Sequence, residues 1–373
     1  MTNNNTRHAA TAAIARGSSD PFTFEQVSLQ SPKEDEVLIK IVASGICHTD
    51  LVCKHQGLPV PLPIVLGHEG AGVVVETGSA VQDLNPGDHV VLSFNSCGDC
   101  PSCASEKPAY CYNFMANNFS GVRGDGTGTM QQDGEAMNAN FFGQSSFATM
   151  AIANVRNTVK VNKDLPLETL APLGCGIQTG AGTVLNSLRI KEGNSVAIFG
   201  GGAVGLSALM AAKLVGAGPI ILIEPMADRR ELALELGADH VVDPFDGNNV
   251  VEAVQKLVGG VDFSLEMTGV PEVVRQCVDV LLPLGTCGLV GAAPVEAEIS
   301  LNIMEILIPG RKIVGLVEGD SEPREFIPQL IKYYEEGKFP FDRLIDFFPF
   351  EQLNEAMEAQ SSGQSIKPVV RMG

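Results

Sequence analysis

The sequence predicts an α/β protein in two parts, a β-rich lobe and a doubly wound parallel sheet. Length is the first reason: 373 residues are too many for one small core and enough for two domains. The second is a run of short Val/Ile/Leu stretches from about Ala9 to Pro172, separated by Gly, Pro and Asp. Gly70–Glu76 and Gly87–Leu92 are examples, and the pattern is that of a small antiparallel barrel or sandwich. The third is a change of character near Cys175, after which strand-like and helix-like runs alternate, as parallel sheets covered by helices require.

Taken in order, Val37–Val42 alternates like a strand and ends at the dense cluster Gly45-Ile46-Cys47-His48-Thr49-Asp50. Phe114–Asn140 is rich in Gly, Asn, Gln and Met with little periodicity, and reads as a long loop over the functional face. Strands are expected at 196–199, 220–223, 241–242, 263–266, 287–290 and 312–315. Helices are expected at 203–215, 229–236, 249–257 and 271–281, with another from Pro323 to Tyr334. The expected domains are 1–175, 176–320, and a return of 321–373 to the first domain.

Charge excludes some partners. With 25 Lys and Arg against 44 Asp and Glu, the net charge is −19, unsuited to nucleic acid or an anionic membrane. The stretch Met1–Asn5 is polar with no apolar signal core, and the apolar segment 196–223 is broken by glycines and Lys213, so a soluble, cytoplasmic protein is expected. In that compartment nine cysteines read as metal ligands rather than disulfides.

Gly200-Gly201-Gly202-Ala203-Val204-Gly205 fits G-x-G-x-x-G between a strand and a helix. The first glycine permits the turn, the second admits a pyrophosphate, and the third lets helix and strand pack closely. Glu224 ends the next strand, where a carboxylate accepts both ribose hydroxyls and repels a 2′-phosphate, predicting NAD over NADP; Arg229 and Arg230 soften that preference. Cys97-x-x-Cys100-x-x-Cys103-x7-Cys111 fits a closed structural zinc site, with an iron–sulfur cluster as the competing metal, in a lobe over 95–113. Cys47, His68 and Cys175 would make three ligands and leave zinc one open position, although spacing alone does not bring them together. On their own, His68 reads as a core histidine and Cys175 as core filler.

These motifs, with Gly67-His68-Glu69 and Gly174-Cys175-Gly176, resemble the zinc-dependent medium-chain alcohol dehydrogenases over nearly the whole length. Phe141–Phe147, Gly174–Gly180 and Gly337–Asp342 are most similar to the aryl- and allylic-alcohol branch, with its benzyl alcohol and geraniol dehydrogenases. The resemblance implies a GroES-like catalytic domain and a Rossmann domain, with substrate and zinc in the cleft between them. It implies two zinc ions per chain, one held by Cys47, His68 and Cys175 and one by the four-cysteine lobe, with NAD as cofactor. Asp50 would orient His68, Glu69 would sit behind the metal, and Thr49 would take the alcohol proton. His48 and Lys367 would face the cofactor pyrophosphate, and Thr179 and Val204 would press on the nicotinamide. Phe94, Phe141 and Phe142 suggest an apolar slot for a flat primary alcohol, with core packing as their alternative.

One position departs from the pattern. In the animal members a histidine three residues after the threonine ends the proton relay; here that residue is Val52. His48, His55 or the ribose hydroxyl alone would have to release the proton. The expected activity is oxidation of an aromatic or allylic alcohol to its aldehyde by a homo-oligomer, a tetramer by family precedent. An enone reductase and a non-catalytic relative on the same fold are the alternatives, and the intact ligand set counts against both.

Overall fold

A computed structural model describes residues 7–247 and 249–373; the polar stretch Met1–Asn5 lies outside them. The chain divides into two compact units. One holds the chain up to Cys175 with Glu322–Ile331 and Asp342–Gly373, and the other holds Gly176–Ser321 with Lys332–Phe341. The expected return of 321–373 as one block is therefore corrected at 332–341. The division falls inside the helix Pro323–Glu335, and the rings of Tyr334 and Phe341, 4.9 Å apart, tie its last turn to the residues that follow.

The first unit is built on two sheets. A five-stranded sheet orders Ile64–Val65, His8–Ala15, Thr23–Leu29, Met130–Gln132 and Glu135–Met137. A seven-stranded sheet runs Thr158–Val161, His89–Leu92, Glu69–Thr77, Glu36–Gly45, Lys367–Arg371 and Ile345–Pro349, with Met150–Asn154 also paired to Glu36–Gly45. Their apolar faces meet in one core that includes Ile14, Leu38, Ile39, Leu66, Phe147 and Val370.

The expected loop over 114–140 is corrected. It holds a helix, Phe114–Phe119, and a hairpin, Met130–Gln132 with Glu135–Met137. The two residues between those strands are Asp133 at φ 52 and Gly134 at φ 88. Two consecutive positive φ values make the tight primed turn that Asp-Gly favours.

The second unit carries a six-stranded parallel sheet in the order His240–Val242, Ile220–Ile223, Val196–Phe199, Val261–Glu266, Leu281–Leu289 and Lys312–Gly315. In chain order this is 3-2-1-4-5-6, the doubly wound arrangement. Val196–Phe199 and Ile220–Ile223 are buried at every position, as central parallel strands covered on both faces must be. Helix Val250–Val258 is closed at both ends: Asn249 accepts from the amides of Val251 and Glu252, and Gly259 turns at φ 80.

Candidate active site

Strand register assembles the site. Glu36–Gly45 pairs antiparallel with Glu69–Thr77 so that Gly45 faces Glu69, and Lys367–Arg371 pairs so that Val369 faces Gly45. Cys47, just past one strand end, His68, just before the next strand, and Lys367 therefore share one end of three adjacent strands. Cys175 reaches them from another direction, where Ser93 Oγ donates to the Gly174 carbonyl at 2.7 Å. The ligand atoms of Cys47, His68 and Cys175 all lie within 4.8 Å of one another.

Asp50, on the short helix His48–Lys54, fixes two of these ligands. One carboxylate oxygen accepts from His68 Nδ1 at 2.9 Å and from the Gly67 amide at 3.1 Å, and the other accepts from the Cys47 amide at 2.9 Å. His68 Nε2 is thereby aimed away from Asp50, buried, and without a hydrogen-bond partner among the described residues. Leaving such an atom unsatisfied costs about 1–3 kcal/mol, which a metal ion bound at Nε2 removes. A hydrogen bond from Cys175 holds the Cys47 thiol well below its ordinary value, against burial and with help from His68. Burial opposes protonation of His68, but Asp50 and then Cys47 outweigh it and raise the imidazole. Two converging cysteine sulfurs beside a partnerless buried imidazole nitrogen fit a zinc ion.

Behind Cys47, Lys367 Nζ donates to the Ile46 carbonyl at 3.0 Å and to the two Glu69 oxygens at 2.9 and 3.0 Å. An ammonium has three donors, and all three are taken. The expected pyrophosphate role of Lys367 is thus corrected: it is a buried partner of Glu69. Burial works against the ammonium, but Glu69 raises it; burial also raises the Glu69 carboxyl, and Lys367 opposes that.

The aromatic slot is corrected as well. Within the first unit Phe94, Phe141 and Phe142 are only 3%, 0% and 3% exposed and belong to its core. Phe142 stacks on the His68 imidazole with centroids 4.4 Å apart and planes at 24°, and Phe141 meets that ring edge-on at 5.4 Å. Phe142 does so at φ 50, a backbone conformation that costs a bulky residue on the order of 1 kcal/mol or more. Gln144 was given no role from sequence. It is fully buried, donates to the His68 and Ser93 carbonyls and accepts from the Gly70 amide, so it locks the turn carrying His68. Its signal was a polar run, Gln144-Ser145-Ser146, inside an aromatic segment.

His48 is exposed and Thr49 half-buried at the start of their helix, with Thr49 Oγ1 3.7 Å from Cys47 Sγ. The four-cysteine lobe closes on itself: the sulfurs of Cys97, Cys100, Cys103 and Cys111 lie within 4.8 Å of one another. The amides of Cys97, Cys100 and Tyr112 point at Cys111, Cys97 and Cys100 sulfur, respectively. Backbone hydrogen bonding at Cys103 and then from Tyr112 brings the Cys100 thiol down to about 6, and burial pushes Cys103 up to about 12. All nine cysteines are free thiols, and Cys53, Cys277 and Cys287 are buried.

In the second unit the glycine turn has a cofactor's shape. Gly200 turns at φ 104, and a Cβ on Gly205 would stand 1.9 Å from the Gly200 carbonyl oxygen, so only glycine serves at either place. A Cβ on Gly202, at the start of helix Ala203–Leu214, would meet nothing within 4 Å; this open cradle beneath a helix N-terminus fits a dinucleotide pyrophosphate. Glu224 is buried there and accepts from the Gly201 amide at 2.6 Å and the Met226 amide at 2.9 Å. Val204 and Thr179 are half-buried, and Arg229 lies on the following helix, Ala227–Leu236.

Comparison with known proteins gives one answer. The Alcohol dehydrogenase GroES-like domain matches residues 33–163, and the Zinc-binding dehydrogenase family matches residues 203–335. Geraniol dehydrogenase of Castellaniella defragrans is 49% identical over 364 residues, 97% of either chain. The crystal structure of an alcohol dehydrogenase zinc-binding domain protein from Burkholderia ambifaria matches with TM-score 0.96 at 49% identity, over 99% of this chain and all of that one. Benzyl alcohol dehydrogenase from Acinetobacter calcoaceticus matches with TM-score 0.95 at 44% identity, over 98% of this chain and all of that one. With both halves matched and relatives of one kind spanning its length, the protein belongs to the zinc-dependent medium-chain alcohol dehydrogenases, which work with zinc and a nicotinamide cofactor, in the branch of its geraniol and benzyl alcohol relatives.

Proposed function

We propose that the protein oxidises primary allylic or aromatic alcohols to aldehydes, passing hydride to NAD. The observation that carries this reading is the convergence of Cys47, His68 and Cys175 with a buried, partnerless Nε2. The geraniol and benzyl alcohol relatives support the substrate class. Bound at these residues, zinc supplies Lewis-acid polarisation of the substrate oxygen, and the nicotinamide supplies the hydride acceptor.

The chain's own groups do the rest. Asp50 fixes the His68 tautomer by accepting a hydrogen bond from Nδ1–H, which keeps that proton on Nδ1. Thr49 Oγ1 receives the alcohol proton, and Val52, one turn on, has no atom to take it further. His48 faces the cofactor phosphates. Glu69 stands behind the catalytic residues, hydrogen-bonded to Lys367. In the second unit the Gly200–Gly205 turn cradles the pyrophosphate, Thr179 and Val204 line the nicotinamide, and Glu224 holds the adenosine ribose, favouring NAD; Arg229 moderates that preference. The first unit acts as the catalytic domain, with its four-cysteine lobe as a second, structural zinc site, and the second acts as the nucleotide domain.

The working form is a homotetramer in the cytoplasm. Nine cysteines with no disulfide among them suit a reducing compartment. Exposed Val295, Ile303, Met304, Leu307 and Ile308 precede the edge strand Lys312–Gly315 and offer an apolar surface to another copy. Specificity is tested by kcat/KM for geraniol, benzyl alcohol and ethanol with NAD+ and NADP+. Geraniol or benzyl alcohol with NAD+ is expected to lead by at least about tenfold. A lead for ethanol or for NADP+ overturns the respective assignment, and light scattering that gives the 39.4 kDa monomer overturns the tetramer.

A further inference from the structure

A buried carboxylate in the second unit has no part in the roles assigned so far. Glu318 Oε2 accepts a hydrogen bond from Thr179 Oγ1 at 3.3 Å, and Glu318 is 7% exposed. It begins a turn of three consecutive left-handed residues, Glu318 at φ 50, Gly319 at φ 62 and Asp320 at φ 50. Two of them are not glycine, so surrounding structure must hold the turn. Asn186 donates to the Gly319 carbonyl at 3.1 Å, and Ser321 Oγ lies 2.7 Å from the Glu318 carbonyl and 3.0 Å from Gln178 Oε1. A Cβ on Gly319 would fall 2.6 Å from the Gln178 carbonyl oxygen. The turn is thus clamped onto helix Gly176–Gly182, the helix that bears Thr179.

That helix in turn lies on the first turn of Ala203–Leu214. A Cβ on Gly180 would stand 2.0 Å from the Val204 carbonyl oxygen. Glu318 is therefore fixed, through Thr179, beside the helix that opens at the glycine cradle.

We propose that Glu318 is a charge-selective positioning residue of the nicotinamide site, favouring the oxidised cofactor over the reduced one. This rests on the reading that Thr179 lines the nicotinamide. The ring of NAD+ carries one positive charge; accepting a hydride adds two electrons and one hydrogen nucleus and leaves NADH with a neutral ring. A fixed carboxylate attracts the first and is nearly indifferent to the second, the more so where water is excluded. Glu318 holds the Thr179 hydroxyl in one orientation and lends the site its negative charge, so NAD+ binds more tightly and NADH leaves more readily. In a bound two-electron couple, a tenfold affinity difference corresponds to about 30 mV.

The test uses the zinc-loaded full chain. NADH affinity is read from its own fluorescence and NAD+ affinity from displacement of NADH. Glu318→Gln keeps the shape and the acceptor for Thr179 and removes the charge. It is expected to weaken NAD+ about tenfold and NADH less than about threefold. Glu318→Ala is expected to show the same selective loss, and Glu318→Asp to keep the wild-type ratio within about threefold. Equal effects on both nucleotides, or none, in the Gln and Ala variants overturn the inference alone. If the wild type binds neither nucleotide, or Thr179→Val changes neither affinity, the nicotinamide reading falls and the inference falls with it.

Discussion

Asp50→Asn isolates what the buried carboxylate does for the proposed metal ligands. Asp50 makes three hydrogen bonds in a fully buried setting, to His68 Nδ1, the Gly67 amide and the Cys47 amide. Asparagine keeps one oxygen, which can still serve His68 and Gly67, but sets its NH2 against the Cys47 N–H. One buried donor then loses its partner, about 1–3 kcal/mol, and the imidazole loses the anion that fixes its tautomer. Zinc affinity at Cys47, His68 and Cys175 is expected to fall about 10- to 100-fold, or about 1.4–2.8 kcal/mol. Competition with a chromophoric chelator measures it, and the four-cysteine lobe serves as an internal control because Asp50 does not touch it. An affinity at the three-ligand site within about twofold of wild type refutes the reasoning. Equal losses at both zinc sites refute it as well, because the effect would then be general rather than local.

Two further perturbations address stability. Lys367→Met leaves Glu69 as a buried carboxylate without its cation and is expected to cost about 3–5 kcal/mol in denaturant unfolding, with much of the loss recovered by adding Glu69→Gln; a loss under about 1 kcal/mol contradicts the pairing. Glu25 is held down to about 2, first by Arg16 and then by Thr23, so its folded value lies below its ordinary one. Its contribution is present above the ordinary carboxylate range and is lost as pH falls through about 2, and the pair is partly exposed, which limits it to under about 1 kcal/mol. Glu25→Gln is expected to lower the midpoint of thermal unfolding at pH 7 and to match the wild type near pH 2; equal shifts at both pH values contradict the assignment.

Much of the second unit was legible because its central strands are uninterrupted apolar runs. Val196–Phe199 and Ile220–Ile223 stand where the hydrophobic pattern put them. The glycine turn was legible for a related reason, since each glycine answers a local steric demand. The three-ligand site was different. Its motifs were visible one by one, but Cys47 and His68 meet through strand register, which spacing does not report. Lys367 was misassigned on the same ground: its partner Glu69 is 298 positions away, and the pairing exists only because Lys367–Arg371 and Glu69–Thr77 flank the same strand. Asp133-Gly134 is a readable turn signal, but the polar residues around it read equally as a loop. Phe141 and Phe142 pack on the His68 ring as part of the core, and composition does not say whether an aromatic lines a space or fills a core. Glu318 and its left-handed turn left no trace in hydrophobic periodicity.

The Glu69–Lys367 tie also sets a clock on biosynthesis. With 298 positions between the partners and elongation at roughly 5–20 residues per second, Glu69 emerges about 15–60 s before its cation exists. The entire run Gly176–Ser321 is synthesised in that interval and is free to fold on its own sheet. The first lobe must meanwhile wait with its cysteines reduced and a carboxylate that cannot yet be buried. Its closure belongs to the end of translation, although most of its residues were made at the beginning.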